Sequence, residues 1–283
     1  MINLDDIITW IENRLDIYIS AEDVAKYSGY SSRHLYSEFK KRTNVSLANY
    51  IRLRKLTQAS YLIRQSGRSI TDIILMYGFD SLQHFSRLFK RHFNISPTEY
   101  RKANSWDMSL FFPSALVYEF RHDINIIDKI SKYIIVDHEE SILVDYGHNF
   151  LLTTTQDGKI MTSIHLQDYY RKMFNDILLQ SKEFTIMGNI IPVKGMDSKL
   201  ITYTGKLSND NSLDDAGITI PPVKYICFMY TGSLKDIIAF QTWIMGYGLY
   251  KYKCQLMRGP TFSTIKSSNE PDIFCNYSYV PIL

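Results

Sequence analysis

Gly78-Phe79-Asp80-Ser81-Leu82-Gln83-His84-Phe85-Ser86-Arg87-Leu88-Phe89-Lys90-Arg91 is the stretch on which the fold turns. Phe85 and Phe89 stand one helical turn apart, so they share one apolar face of a helix that Ser81 is placed to cap. Gly78 supplies a turn before it, and Ile70, Ile73 and Ile74 mark a short amphipathic helix upstream. Short helix, glycine turn, second helix is the grammar of a helix-turn-helix. Fifty residues earlier the same grammar recurs. Ser31 falls on Ser81, His34 on His84, Leu35 on Phe85, Phe39 on Phe89, Lys40 on Lys90 and Lys41 on Arg91. Gly29-Tyr30 and Val24-Ala25 stand upstream of this copy as their counterparts do in the other. The repeat predicts helix pairs over about 20–43 and about 70–93.

Between the copies, Leu47, Tyr50, Ile51, Leu56, Ala59, Leu62 and Ile63 keep a helical period without an interrupting proline, and Gly67 follows as a stop. One connecting helix over about 46–65 is expected, with Arg52, Arg54 and Lys55 on it. Leu4, Ile7, Ile8, Ile11 and Leu15 predict a further helix at the start.

A chain of 283 residues is too long for one ordinary domain, and its charge divides it. Residues 1–105 hold sixteen Lys and Arg against ten Asp and Glu, whereas the rest hold sixteen against nineteen. A basic first third beside a mildly acidic remainder suggests different partners, with phosphate contact a candidate for the first. No apolar run approaches the roughly 18 residues of a membrane span, and the start lacks the basic and apolar regions of a signal peptide. Cys227, Cys254 and Cys275 are odd in number and far apart, which suits small buried hydrophobes in a reducing compartment. A cytoplasmic protein without membrane contact is expected.

The second copy continues through Ser96-Pro97 and Tyr100-Arg101, and the array from Gly78 to Arg101 resembles that of the AraC/XylS family of bacterial transcription regulators. The looser pattern of the first copy resembles it as well. The order of parts is similar to that of Rob-like members, in which the DNA-binding module comes first. Pro222, Lys224-Tyr225 to Tyr230-Thr231-Gly232 and the ending Val280-Pro281-Ile282 resemble a GyrI-like effector-binding domain. The resemblance implies an all-α double helix-turn-helix domain over 1–104, a linker over 105–120 and an α+β GyrI-like domain over 121–283. It also implies a nucleoid-associated regulator, most simply an activator that binds promoter DNA as a monomer and contacts RNA polymerase.

In a helix-turn-helix the second helix enters the major groove, and its exposed side chains meet base edges. The faces expected to be exposed are Ser32, Arg33, Tyr36, Ser37 and Leu82, Gln83, Ser86, Arg87. Arg33 can pair bidentately with guanine, Gln83 with adenine, and Leu82 can touch a thymine methyl. The family's base-reading positions fall on Arg33, Tyr36, Ser37, Leu82, Gln83 and Arg87. Arg33, Tyr36 and Ser37 stand where the Rob-like subgroup places Trp, Gln and Arg, so the first half-site should differ from that subgroup's. Ile74 stands where alanine is usual. Ser31, Lys40, Lys41, Ser81, Ser86, Lys90 and Arg91 are candidates for phosphate contact, which positions without specifying. Leu35, Phe39, Phe85 and Phe89 are read as core, and His34 and His84 as packing or phosphate contacts rather than metal ligands. Two reading helices in one chain imply an asymmetric site of roughly 20 base pairs, bent where the helices are not parallel.

From Trp106 to Pro113 the helical period is lost, which marks the linker. Beyond it, strands are expected at 133–136, 142–144, 185–191, 200–203, 224–230, 252–256 and 274–280, with helices around 169–178 and 234–245. Strands, helix and strands written twice predict a pseudo-two-fold sheet with a groove between its halves. Tyr230, Trp243 and Tyr277 are the candidates for an aromatic effector pocket. GyrI-like domains that bind cations use a glutamate four residues before the last-strand proline; here that position is Tyr277, which implies a neutral or acidic ligand, or a protein-interaction or dimerisation module without one. No phosphate loop, metalloprotease helix, nucleophile elbow or paired cysteines occur, so neither cofactor nor metal nor catalytic residue is assigned. A GyrI-like hydrolase is the remote alternative.

Overall fold

The computed structural model describes residues 3–116, 118–128, 132–144, 153–154, 160–161, 164–178, 181–195, 198–208 and 217–283. Its first part is helical: α1 Leu4–Glu12, α2 Ala21–Ser28, α3 Ser32–Thr43, α4 Leu47–Gln65, α5 Ile70–Met76, α6 Leu82–Phe93 and α7 Pro97–Lys102. The helix starts follow from serines. Ser20, Ser31, Ser46, Ser69, Ser81 and Ser96 each accept a backbone N–H of the first turn, and Asp23, Asp72 and Glu99 complete reciprocal capping boxes at three of them. The ends repeat too. Asn44 and Asn94, equivalent in the two copies, close α3 and α6 in the left-handed region, at φ 61° and 65°. Gly29 makes the turn after α2 at φ 69°, where a β-carbon would be strained.

The linker expected over 105–120 is built into both halves instead. Ser105–Asp107 forms β1, which pairs antiparallel with β10 (Gln255–Met257), and Met108–Leu110 is a single 3-10 turn. Residues 111–116 then run back over α4: Phe112 N–H donates to Thr57 Oγ1, and Ala115 N–H donates to the Tyr50 hydroxyl. The apolar side chains Trp106, Met108 and Phe111 are what draw this segment in; each is at most 4% exposed.

The remainder comprises β2 Asp123–Ile127, β3 Tyr133–Val144, β4 Thr153–Thr154, β5 Ile160–Met161, α8 Ile164–Leu178, β6 Glu183–Pro192, β7 Ser198–Ser208, β8 Gly217–Thr219, β9 Lys224–Gly232, α9 Leu234–Trp243, β11 Thr261–Ser267 and β12 Phe274–Ile282. The described strands run β1-β10-β12-β11-β6-β7-β3-β8, with β9 on the other side of β12 and β2 beyond it, all antiparallel; β4 and β5 pair apart. The two strands expected at 133–136 and 142–144 are one, β3, with an irregularity between Val136 and His138. Residues 252–254 close the helical segment after α9, which continues through a wider π turn at Ile244–Gly248, so β10 starts later than expected. β11 was not foreseen from the sequence.

α8 and α9 cover one face of the sheet, burying Phe174, Phe184, Ile186, Ile237 and Ile265 together. Ile134, Met187, Tyr225 and Phe262 form a core on the other. The first helix-turn-helix has its own core of Ile7, Ile11, Val24, Leu35, Phe39 and Tyr50. The second does not: Ile73, Phe85 and Phe89 belong to one continuous cluster that passes through Trp106 and Met108 to Leu256, Val280 and Trp243. The sheet region and the second helix-turn-helix therefore share a core.

Candidate nucleic-acid interface

On α3, Leu35 and Phe39 are buried and Arg33, Tyr36 and Ser37 face outward; Ser32 also is exposed. On α6, Phe85 and Phe89 are fully buried while Leu82, Gln83 and Arg87 are exposed and Ser86 is half-buried. The same turn of the same helix-turn-helix thus presents Arg33 in one copy and Gln83 in the other. Lys40, Lys41, Lys90 and Arg91 are exposed in the last turns of these helices, where cations also suit the helix dipole. Lys41 is engaged by Glu38 at 2.7 Å. The Ser31 and Ser81 hydroxyls accept the backbone N–H groups of His34 and His84, which leaves each hydroxyl hydrogen free to donate outward. His34 packs its ring against Tyr30, and His84 lies 3.8 Å from Asp80. Among the described residues no cluster of His, Cys, Asp and Glu could hold a metal.

The helix α4 joins the two helix-turn-helix units, and its charges do unlike things. Arg52 is exposed and reaches Asn49. Arg54 is buried against Glu12, with Nη2 2.8 Å from Oε2, while Tyr50 donates its hydroxyl to the same carboxylate at 2.6 Å. Burial works against the Arg54 charge, but Glu12 more than offsets it and holds the guanidinium above its ordinary pKa. Arg54 Nη1 also donates to the Phe112 carbonyl at 2.7 Å, which ties the segment after β1 into the first core. Lys55 donates to the Ile17 carbonyl, in the connection between α1 and α2, at 2.6 Å and to the Tyr77 carbonyl, in the turn of the second helix-turn-helix, at 2.9 Å. Burial pushes its ammonium down to about 8, against a smaller pull from Asp16. These roles were missed at the level of sequence, although a signal exists: Arg54 and Lys55 fall on the stripe of Leu47, Ile51, Gln58 and Leu62 rather than opposite it.

The three aromatic residues expected to line an effector pocket do not share one cavity. Trp243 is fully buried and stacks on Phe240, with Phe120 and His122 of the chain's own segment packed against it. Tyr230 stacks on the other side of this cluster at 4.8 Å from Phe240. Tyr277 points away from α9, because Asn276 and Ser278, its neighbours on β12, are the residues that bond Gln241 of that helix. A cavity of about 420 Å³ lies between α8, α9 and the sheet, against the end of α4. None of Tyr230, Trp243 and Tyr277 lines it.

A repeated helix-turn-helix whose two second helices both turn polar faces outward from apolar cores is the architecture of a DNA-binding transcription regulator. A family model described as a helix-turn-helix domain matches residues 24–103. The chain is similar to the multiple antibiotic resistance protein MarA of Escherichia coli, 40% identical over 110 residues that cover 39% of this chain and 87% of MarA. It is 45% identical to the putative HTH-type transcriptional regulator YkgA of the same organism over 114 residues, 40% of this chain, and spans about half (48%) of that relative's length. The right origin-binding protein of Escherichia coli is 27% identical over 232 residues, 80% of this chain and 77% of that protein, so this likeness extends beyond the helix-turn-helix part. The chain belongs to the AraC family of helix-turn-helix transcriptional regulators. Among the described residues no helix is long and apolar enough to cross a membrane.

Proposed function

We propose that this chain is an activator that binds an asymmetric promoter site as a monomer, reading two major-groove segments with α3 and α6 and contacting RNA polymerase. The observation that carries the monomer reading is Lys55. One buried ammonium bonded to the α1–α2 connection that leads into the first helix-turn-helix and to the turn of the second holds the two units on a common frame. A frame that already holds two readers needs no second subunit to span two turns of DNA. In the first half-site, Arg33 pairs with guanine, beside Tyr36 and Ser37. In the second, Gln83 pairs with adenine, Leu82 touches a thymine methyl and Arg87 stands beside them. Ser31, Lys40, Lys41, Ser81, Ser86, Lys90 and Arg91 hold phosphates on either side, with Lys41 leaving Glu38 to do so. Activation and the polymerase contact rest on the family resemblance.

The region from 121 onward acts, in this reading, as a GyrI-like effector domain. What supports it is an antiparallel sheet with two helices on one face and a cavity between them. The test is the mass of the complex on a single selected duplex, measured by sedimentation. One chain per duplex is expected; two chains per duplex would refute the monomer.

A further inference from the structure

The cavity's wall is sided. Phe174, Ile186, Ile238, Met245 and Leu256 make an apolar middle. Gln241, Ser263 and Ser278 lie together at the wall, already joined by hydrogen bonds of 2.7 to 3.3 Å. At the α4 end stand two guanidinium groups, Arg64 and Arg258, both over the ring of Trp106 at 5.0 and 5.2 Å from its centroid. Arg64 is 3% exposed, and Arg258 reaches across the junction to the carbonyls of Arg101 and Ala103 at 2.9 and 3.2 Å. Among the described residues lining the cavity there is no Asp or Glu. Two guanidinium charges gathered on one indole make that end electropositive, and a planar fork of donors matches a carboxylate.

We infer that the cavity takes an aromatic monocarboxylate, with its carboxylate at Arg64 and Arg258 and its ring body among the apolar residues of α8, α9 and the sheet. The cavity volume suits a small molecule of this kind. The inference deepens the effector reading above and rests on it. The site also carries its own coupling to DNA. Arg64 and Gln65 are the last turn of α4, and Ile190 and Pro192 of β6 face them across the cavity. The same last turn is clamped by the hairpin that β6 begins: Ser198 donates to the Gln65 carbonyl, and Gly195 N–H donates to the Gly67 carbonyl at 3.2 Å. A ligand that bridges α4 and β6 therefore acts on the turn that leads into α5 and α6.

The test uses the full chain and calorimetry with 2-naphthoate, its neutral amide and 2-naphthylmethylammonium. Naphthoate is expected to bind with one site, at least about tenfold tighter than the amide, and the ammonium not at all. Arg64→Gln and the exposed Arg258→Gln should each remove the preference for carboxylate over amide; should Arg64→Gln fail to fold, Arg258→Gln decides. Equal binding of the amide, preference for the ammonium, or no heat from naphthoate would overturn the assignment. Anisotropy on a selected duplex separates the two claims. Naphthoate that binds and shifts DNA affinity supports both. Binding that leaves DNA affinity unchanged upholds the ligand site and overturns the effector reading, since coupling requires differential affinity for two states.

Discussion

Arg33 and Gln83 are the same position of the repeat, fifty residues apart, carrying different readers. If each reads a base, Arg33→Ala and Gln83→Ala should each relax specificity at one half-site by about 1–3 kcal/mol. Binding competitions with single-base variants check this; an equal loss on random DNA would assign both to phosphate. Buried charge sets a second expectation. The unfolded chain keeps the Lys55 proton up to the ordinary lysine range, near 10.5, whereas the folded chain releases it at about 8. Between those values the unfolded state binds more protons, so stability should rise with pH across that window. Below it the full cost of the buried charge is present. Urea midpoints across the window should climb in the parent and climb less in Lys55→Met, and identical slopes would refute the role given to Lys55. The exposed and buried faces of α3 and α6 were legible from the spacing of Leu35, Phe39, Phe85 and Phe89. Arg54 and Lys55 were visible as residues, but their partners Glu12, Ile17 and Tyr77 lie 22 to 42 positions away, beyond any local period.

At the scale of elements, the helices of the first hundred residues were legible because each start is written locally, in Asn3 for α1 and in a serine for α2 to α7, followed by a helical period. The sheet was less so. β11 reads Thr-Phe-Ser-Thr-Ile-Lys-Ser, and its Ser263 and Thr264 are buried beside Phe262 and Ile265, so no alternation marks it. On β12 the reading chose Tyr277, one residue off the face that turns to α9, and a slip of one on a strand reverses every side chain. The α4–α5 turn gives a sharp test of how the halves meet. A β-carbon at Gly67 would lie 1.9 Å from the Val193 carbonyl oxygen. Gly67→Ala should push the β6–β7 hairpin off α4 while α3 and α6 keep their faces. Limited proteolysis should then cut near residue 195 faster than in the parent, with specific DNA binding retained; unchanged cleavage would contradict the contact.

At the scale of the molecule, the boundary drawn from composition misses the continuity of the core. The loss of helical period after 105 marks a change of structure, but Trp106 pairs with Leu256 and packs beneath α7, with its indole N–H on the Tyr100 carbonyl. Such partners are set by the fold of residues 150 positions further on. A fragment of residues 1–104 should therefore melt well below one of residues 1–116, which retains Trp106, Met108, Phe111 and the Phe112 carbonyl that Arg54 binds. Deleting several buried apolar side chains at about 2–5 kcal/mol each leaves a wide margin, and equal melting of the two fragments would refute the packing of residues 105–116 onto the helices. One chain is proposed to carry two unlike reading helices on one frame. Selection of bound sequences from random DNA by the full-length protein at physiological salt tests it most directly. An asymmetric motif with two different blocks about one helical turn apart is expected. A palindrome, the signature of two subunits each using one helix, would contradict it.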